Sequence, residues 1–237
     1  MLFEKSFLAL RLEGPLQSWG YSSQYNRRNT GLMPTKSAIA GMCCAAIGLT
    51  RGGEGEQVFL VAFNKTSLTT IAIPRMVIKK VLPIGRLQDY HTVGGGYDSK
   101  NLDERGSITV SADTGKPREH AVLTQRQYLT DASFGILIEG ESLLLQRIAD
   151  ALKDPVWGIW LGRKTCIPSA PVLVGLKKER VEALHLLIGD KPLEMFTVQE
   201  DVDNFMDGTD SLSDVPVSFK TDKRVFSPRR VKMTFSR

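Results

Sequence analysis

The order of strand and helix patterns along the chain most constrains its fold. Residues 6–13 alternate, so that Leu8, Leu10 and Leu12 share one face of a predicted strand and Phe7 and Ala9 the other. After this strand, segments with the periodicity of a helix alternate with further segments that have the pattern of a strand. The predicted strands cover residues 6–13, 67–81 (with a bend at Pro74), 134–139 and 157–161, and the predicted helices cover residues 35–49 and 141–152. This order predicts an α+β fold of the ferredoxin-like, split βαβ type, with two unrelated subdomains as the alternative.

A polar segment at residues 86–131 interrupts this order. It contains the turn signals "GGGYD" and "DTGKP" and has few apolar residues to bury, which favours a long protruding hairpin or loop. Beyond about residue 175 the pattern is less regular, with strands predicted near 181–188 and 225–235. We therefore expect a core at 1–175 with an insertion at about 86–131, and a C-terminal, β-rich extension at 176–237 packed on that core.

Charge is unevenly distributed. The 237-residue chain has a net charge of +5 and a pI of about 9.1, a balance that makes a nucleic-acid partner a reasonable hypothesis. Residues 194–214 contain seven acidic residues and no Lys or Arg, whereas residues 220–237 contain seven basic residues and one acid. This segregation predicts a basic face and a separate acidic loop, although each cluster alone is also typical of a solvated surface.

Several classes of protein are disfavoured by the sequence. No run of about 18 apolar residues occurs, so we expect no membrane span, and the N-terminus resembles a first strand more than a signal peptide. Cys43, Cys44 and Cys166 form no CxxC pair, which favours core packing and a reducing cytoplasm. No metal-binding, Walker-type or GxSxG motif is present, so we expect no metal or cofactor.

Catalysis has one candidate residue. The chain has three histidines, and His91 lies in "DYHTVGGGYD", next to Tyr90. A metal-independent endoribonuclease could use His and Tyr as general acid and base. A single His in a loop more often forms a hydrogen bond or a stack, and His185, in an apolar run, is expected to be structural.

A phosphate-binding surface is a stronger prediction. The start of the helix at 35–49 would present free backbone N–H groups to an anion, and Lys36 in its first turn is electrostatically unfavourable unless an anion is present. Arg27 and Arg28 precede this helix, and "LGRKT" places Gly162, Arg163 and Lys164 in a second loop. Trp19 and Tyr21 offer surfaces on which bases could stack. Both loops are expected to reach one RNA, if the first and fourth strands lie on the two outer sides of the sheet.

Five segments, in this order, resemble a known family: "LALRLEGPLQSWG", "PTKSAIAGMCCAAIG", "DYHTVGG", "YLTDASF" and "LGRKTCIPSAPV". Together they are similar to the CasD (Cas-five) family of type I-E CRISPR Cascade. The resemblance covers roughly residues 7–174. It implies an RNA-recognition-motif-like, ferredoxin-like core of the RAMP superfamily with a β-hairpin thumb.

The resemblance also implies a function. Members are non-catalytic subunits that hold the 5′ handle of the CRISPR RNA (crRNA), cap the filament of backbone subunits, and contact the large subunit near the protospacer-adjacent motif of target DNA. The implied RNA-binding residues are Trp19, Gly20, Arg27, Arg28, Thr30, Lys36, Ser37, Gly162, Arg163 and Lys164. The implied thumb and subunit contacts are His91, Thr92, Val93, Gly94 and Gly95. A related type I-C member cuts RNA with Tyr, Lys and His, but the first helix here has no Tyr or His, so we expect no nuclease activity.

Overall fold

The computed structural model describes residues 4–21, 26–77, 80–93, 122–222 and 224–236. Its largest element is a seven-stranded sheet made of β1 (Lys5–Glu13), β4 (Ser67–Ala72), β9 (Ser133–Glu141), β10 (Leu173–Lys177), β11 (Thr197–Asp201), β12 (Asp210–Ser218) and β13 (Val225–Thr234). The strands lie in the order β10-β1-β9-β4-β11-β13-β12, and all neighbours are antiparallel. Shorter strands are β2 (Leu16–Gln17), β3 (Arg27–Arg28), β5 (Arg75–Val77) and β6 (Lys80–Leu82), and a hairpin is formed by β7 (Gly85–Val93) and β8 (Val122–Thr130).

In the described part of the chain, four α-helices cover the two faces of this sheet: α1 (Lys36–Ile47), α2 (Glu54–Phe63), α3 (Ser142–Lys153) and α4 (Arg180–Ile188). The predicted alternation of β1 is confirmed, because Leu8, Leu10 and Leu12 are fully buried in the larger core cluster with residues of α1, α2 and α3. Ala9 faces the other side and packs in a second cluster with residues of α4. Among the described residues, no helix combines the length and apolar character needed to cross a bilayer.

Both ends of helix α1 are capped, and they lie within two residues of the predicted boundaries. The Thr35 side chain accepts a hydrogen bond from the backbone N–H of Ala38 at 3.2 Å, as expected of an N-cap threonine. Gly48 ends the helix in the left-handed conformation, at φ +81°, which glycine adopts without steric cost. The predictions of α3, β9 and β13 are confirmed in the same way, within one or two residues at most boundaries.

Three predictions about local structure are wrong. Residues 157–161 form a loop, because Val156 and Trp157 donate their backbone N–H groups to carbonyls at the end of α1 and not to a strand. The fourth core strand is instead β10, which pairs with β1, so the first and fourth core strands are neighbours and do not lie on opposite outer sides. Residues 181–188 belong to helix α4, whose buried Ala183 and Leu187 are one helical turn apart.

The sequence pattern does not predict helix α2, because glycines at 52, 53 and 55 surround its first residue and favour a loop; in the structure Gly53 is the N-cap and Gly55 lies in the first turn. Its buried Phe59, Leu60 and Phe63 have helical spacing and enter the larger core. The strand predicted at 67–81 is divided into β4, β5 and β6, and Pro74 lies in the break between β4 and β5. Proline donates no backbone hydrogen bond, which explains why the ladder stops there.

The segment predicted to protrude contains the β7–β8 hairpin. Its strands pair from Gly85 opposite Thr130 to Val93 opposite Val122. The base of the hairpin joins the core, since Tyr128 and Leu129 are buried, so the expectation that the whole segment avoids the core is wrong. Residues 94–121, which include the predicted contacts Gly94 and Gly95, lie outside the described residues.

A buried charge cluster joins the start of α1 to the C-terminal strands. The Lys36 ammonium donates to the Thr66 carbonyl at 2.6 Å and to the Asp201 carboxylate at 3.1 Å. Arg229 donates to both Asp201 and Asp214, and Asp214 also accepts the backbone N–H of Lys36 at 2.8 Å. All four charged side chains are at most 15% exposed. Two positive charges are therefore matched by two negative charges inside the protein.

The charges of the cluster stabilise one another. Burial disfavours the charged form of Arg229, but its hydrogen bonds and charge interactions with Asp214 and Asp201 outweigh burial and hold its pKa above the ordinary value. Asp214 also supplies the anion that the positive end of the α1 dipole favours. Strands β11, β13 and β12 thus extend the sheet beyond β4, and their charged residues stabilise the start of α1.

We predict that Asp214→Ala lowers the free energy of unfolding by about 3–5 kcal/mol, because it leaves Arg229 with a reduced set of partners in a buried site. Urea denaturation measures this change. The control is Asp150→Ala: Asp150 pairs with Lys153 on the surface of α3, so its loss should leave the urea midpoint almost unchanged. Equal effects of the two substitutions would contradict a stabilising role for the cluster.

Candidate nucleic-acid interface

A cleft of about 1180 Å³ opens between α1, the loop at 156–164 and the segment that joins β12 to β13. Several residues predicted from sequence to bind RNA line this cleft, and they are Gly20, Arg28, Ser37, Gly162, Arg163 and Lys164. Tyr21, a predicted stacking residue, also lines it and is 66% exposed. The structure therefore brings the two predicted basic loops together at one site.

Arg163 connects these loops. Its guanidinium donates to the backbone carbonyls of Gln127 at 3.1 Å and Arg28 at 2.8 Å, and it lies 4.7 Å from the centre of the Tyr128 ring. The first bond holds the loop against β8 and the second holds it against β3. Arg28 and Arg163 consequently lie on one wall of the cleft, with the Lys164 side chain near the ring of Trp160 at 5.7 Å.

Gly162 permits a close approach of two backbones. It has φ +98°, and a Cβ atom here would lie 1.8 Å from the carbonyl oxygen of Ser18. The neighbouring Leu161 carbonyl accepts the Ser18 N–H at 3.0 Å. Gly162 is one of the residues predicted to bind RNA; in the structure its missing side chain admits the chain's own backbone at Ser18, after β2.

Three predicted RNA contacts have structural roles instead. Trp19 is 1% exposed and donates its ring N–H to Gln17 at 3.1 Å, so it offers no face for stacking. Thr30 is also 1% exposed and accepts the Trp19 backbone N–H at 2.8 Å. Lys36 is 4% exposed and lies in the buried charge cluster. The position of Lys36 at a helix start predicted a nearby anion. That anion is the Asp214 carboxylate of the same chain.

The remaining predicted residues are accessible to different extents. Arg27 is exposed on β3 and does not line the cleft. Ser37 is half-buried, with its hydroxyl 3.2 Å from that of Thr35. His91, Thr92 and Val93 lie on β7, away from the cleft lining. The His91 ring lies 3.2 Å from the Asp89 carboxylate.

Sequence reasoning missed part of the cleft lining. The additional residues are two arginines and four aromatic side chains: Arg51, Arg224, Trp157, Trp160, Phe219 and Phe226. They come from three distant segments, so no local spacing connects them. The sequence signal that could have identified these residues is the recurrence of aromatic and basic residues at 157–164 and 219–230.

The electrostatics of the cleft favour an anion. Five cationic side chains line it, and Glu56 is the acid in the lining: Arg28, Arg51, Arg163, Lys164 and Arg224 are the cations. Glu56 is 3% exposed and accepts the backbone N–H of Gly52 at 2.8 Å. Within the part of the chain that the structure describes, none of the five cations lies within ion-pair distance of a carboxylate. Their charge is thus available to a phosphate backbone.

The cysteines are core residues, as predicted. Cys43, Cys44 and Cys166 are buried and unpaired in disulfides. Cys44, at the wall of the cleft, is 4% exposed. Burial, with a smaller effect of the nearby Glu56 charge, raises the pKa of its thiol to about 12. The thiol is therefore neutral at physiological pH and contributes packing.

Residues 7–232 match the model of a family described as CRISPR-associated protein (Cas_Cas5). The chain belongs to this family. The resemblance observed in the sequence is confirmed at that level and extends beyond residue 174 into the C-terminal strands.

Individual relatives agree with this assignment. The chain is 29% identical over 175 residues to the CRISPR system Cascade subunit CasD of Escherichia coli (strain K12), covering 72% of this chain and 71% of the relative. A solved CRISPR RNA-guided surveillance complex contains a chain that superposes with a TM-score of 0.70 at 30% identity, covering 96% of this chain and 88% of that one. A crystal structure of a Cas protein gives a TM-score of 0.63 at 27% identity, with coverages of 96% and 93%.

We predict that Gly162→Ala destabilises this Cas5-family protein by about 1–3 kcal/mol, because the new Cβ would combine a strained φ with a clash against the Ser18 carbonyl. Thermal or urea unfolding measures the change. Gly55→Ala is the control: its Cβ would lie 3.5 Å from Leu49, an ordinary contact, and alanine favours a helix. Unchanged stability of the Gly162 variant would contradict the close approach of the two backbones.

Proposed function

We propose that this chain is a non-catalytic subunit of a type I-E CRISPR Cascade complex that binds the 5′ handle of crRNA in the cleft described above. The single observation that carries the proposal is the convergence of Arg28, Arg163 and Lys164, from two distant segments, in one cleft, where none of the three lies within ion-pair distance of a carboxylate of the described residues. A positively charged groove with exposed aromatic rings is suited to single-stranded RNA. Membership of the Cas5 family and similarity to the E. coli Cascade subunit support the same role.

The architecture supports this proposal as well. We propose a ferredoxin-like core within residues 1–175, a thumb formed by the β7–β8 hairpin, and a C-terminal extension at 176–237. The strand order β10-β1-β9-β4, with α1 and α3 in the connections, matches the split βαβ arrangement. The thumb would contact a backbone subunit, and another surface would contact the large subunit near the protospacer-adjacent motif of target DNA.

The endoribonuclease alternative has less support. Tyr90 and His91 are adjacent in strand β7, so their side chains leave opposite faces of the hairpin and do not converge on one phosphate. Incubation of a repeat transcript with the protein in EDTA tests the alternative. Cleavage that His91→Ala abolishes would favour the endoribonuclease over the binding subunit.

Co-purification tests the proposed role directly. The tagged chain should be expressed with its genomic neighbours, and the RNA bound to it should be sequenced. We expect uniform short RNAs that share one repeat-derived 5′ end, together with the other Cascade subunits. Heterogeneous RNA would indicate a general RNA-binding protein instead.

We predict that Lys164→Gln and Arg28→Gln each reduce the slope of log binding constant against log salt concentration by about 0.7, because each removes one phosphate contact to a single strand. Fluorescence anisotropy with an RNA that carries the repeat-derived 5′ end measures the slope. Lys153→Gln, an exposed lysine of α3 outside the cleft, is the control and should leave the slope unchanged. The same slope for all three variants would place the RNA elsewhere.

The β7–β8 hairpin has exposed apolar side chains that are candidates for contact with another subunit. Tyr90 is 65% exposed and Leu123 is 44% exposed, and the register places them as diagonal neighbours on one face of the hairpin. We predict that Tyr90→Ser with Leu123→Ser reduces recovery of the backbone subunit in a pull-down, with little change in handle affinity. Leu143→Ser, a 78% exposed leucine on α3, is the control. Normal recovery of the backbone subunit by the hairpin variant would argue against a thumb contact.

A further inference from the structure

The cleft has a second half whose chemistry differs from that of the basic loops. We define the aromatic half as Trp157, Trp160, Phe219 and Phe226, all of which line the cleft. Trp157 is 45% exposed and Phe226 is 42% exposed. Large apolar side chains so exposed inside a concave site are unusual for a surface that binds only phosphates.

Both exposed rings are held in place by the surrounding structure. The backbone N–H groups of Val156 and Trp157 donate to the carbonyls of Ala46 at 2.9 Å and Ala45 at 3.2 Å. These carbonyls belong to the last turn of α1, where acceptors lack partners within the helix. The loop that carries Trp157 is therefore anchored although its ring remains accessible.

Phe219 supports the ring of Phe226. Their ring centres are 6.4 Å apart in an edge-to-face arrangement, a favourable geometry for aromatic pairs. Phe219 packs against the larger core cluster, whereas Phe226 extends into the cleft from β13. The accessible ring of Phe226 is thus fixed by a partly buried one.

Cations flank these rings. Arg51 and Arg224 are exposed and line the same cleft, which continues to the basic half at Arg163 and Lys164. An apolar partner alone would not explain flanking arginines, and a bare phosphate would not explain the rings. A nucleotide satisfies both, since every base has an apolar face for stacking and carries a phosphate.

We infer that the aromatic half binds one or more unstacked bases of the single-stranded RNA, with Trp157 and Phe226 as stacking surfaces and Arg51 and Arg224 as adjacent phosphate contacts. This inference rests on the proposed function. It adds a base-binding subsite to the backbone-binding one. Affinity should consequently depend on the presence of bases as well as on the number of phosphates.

The test compares two fluorescein-labelled oligonucleotides of equal length: a single-stranded RNA with the repeat-derived 5′ end, and a ribose-phosphate chain that lacks bases. The full-length wild-type chain is compared with Trp157→Ala/Phe226→Ala. We expect the double variant to bind the RNA about 5- to 150-fold more weakly and to bind the abasic chain as the wild type does. Its salt slope should remain unchanged, because no phosphate contact is removed.

The control is Phe235→Ala, which removes a phenylalanine that is 70% exposed and lies outside the cleft; it should bind both oligonucleotides as the wild type does. Retained affinity for the abasic chain shows that the double variant is folded. An equal loss of affinity for both oligonucleotides, or no loss for either, overturns the base-binding inference.

The proposed function fails separately if the wild type binds neither oligonucleotide, or if Lys164→Gln leaves the salt slope unchanged.

Discussion

The buried cluster of Lys36, Asp201, Asp214 and Arg229 is the constraint on which the rest of the structure depends. It holds the first turn of α1 against β11, β12 and β13, which are distant in sequence. Charges taken out of water require close partners, so this arrangement favours the observed placement of the helix against the C-terminal strands. Because α1 and the segment between β12 and β13 both line the cleft, the cluster also affects the shape of the candidate RNA site.

The cluster also explains how the charge of the chain is divided. The acidic segment at 194–214 supplies Asp201 and Asp214 to the interior, and its Glu200 pairs with Arg180 at 2.7 Å. These carboxylates are thus neutralised within the chain and lie away from the cleft lining. The cleft retains five cations and one buried acid. A net charge of +5 is modest, but its distribution concentrates positive potential where phosphates would bind.

Rigidity of the cleft comes from backbone contacts. Gly162 admits the Ser18 carbonyl, and the backbone around Trp157 is bonded to the end of α1. A preorganised site loses less conformational entropy when it orders a flexible single strand. The same contacts hold basic and aromatic residues together, which suits recognition of both the backbone and the bases of RNA.

The sequence by itself determined the elements with strong local signals and the family. The alternation of β1, the capped helix α1 and the amphipathic α3 could be predicted because periodicity and capping are local properties. The basic segments "LGRKT" and Arg27–Arg28 also correctly indicated two of the segments that form the cleft. Only the tertiary structure decided that Lys36, Trp19 and Thr30 are buried and that Arg51, Arg224, Trp157 and Phe226 join the site. A lysine at a helix start has the same local signature whether its anion is a ligand or Asp214, which is 178 residues away. Burial and charge pairing depend on contacts between distant segments, and these exist only after the chain has folded.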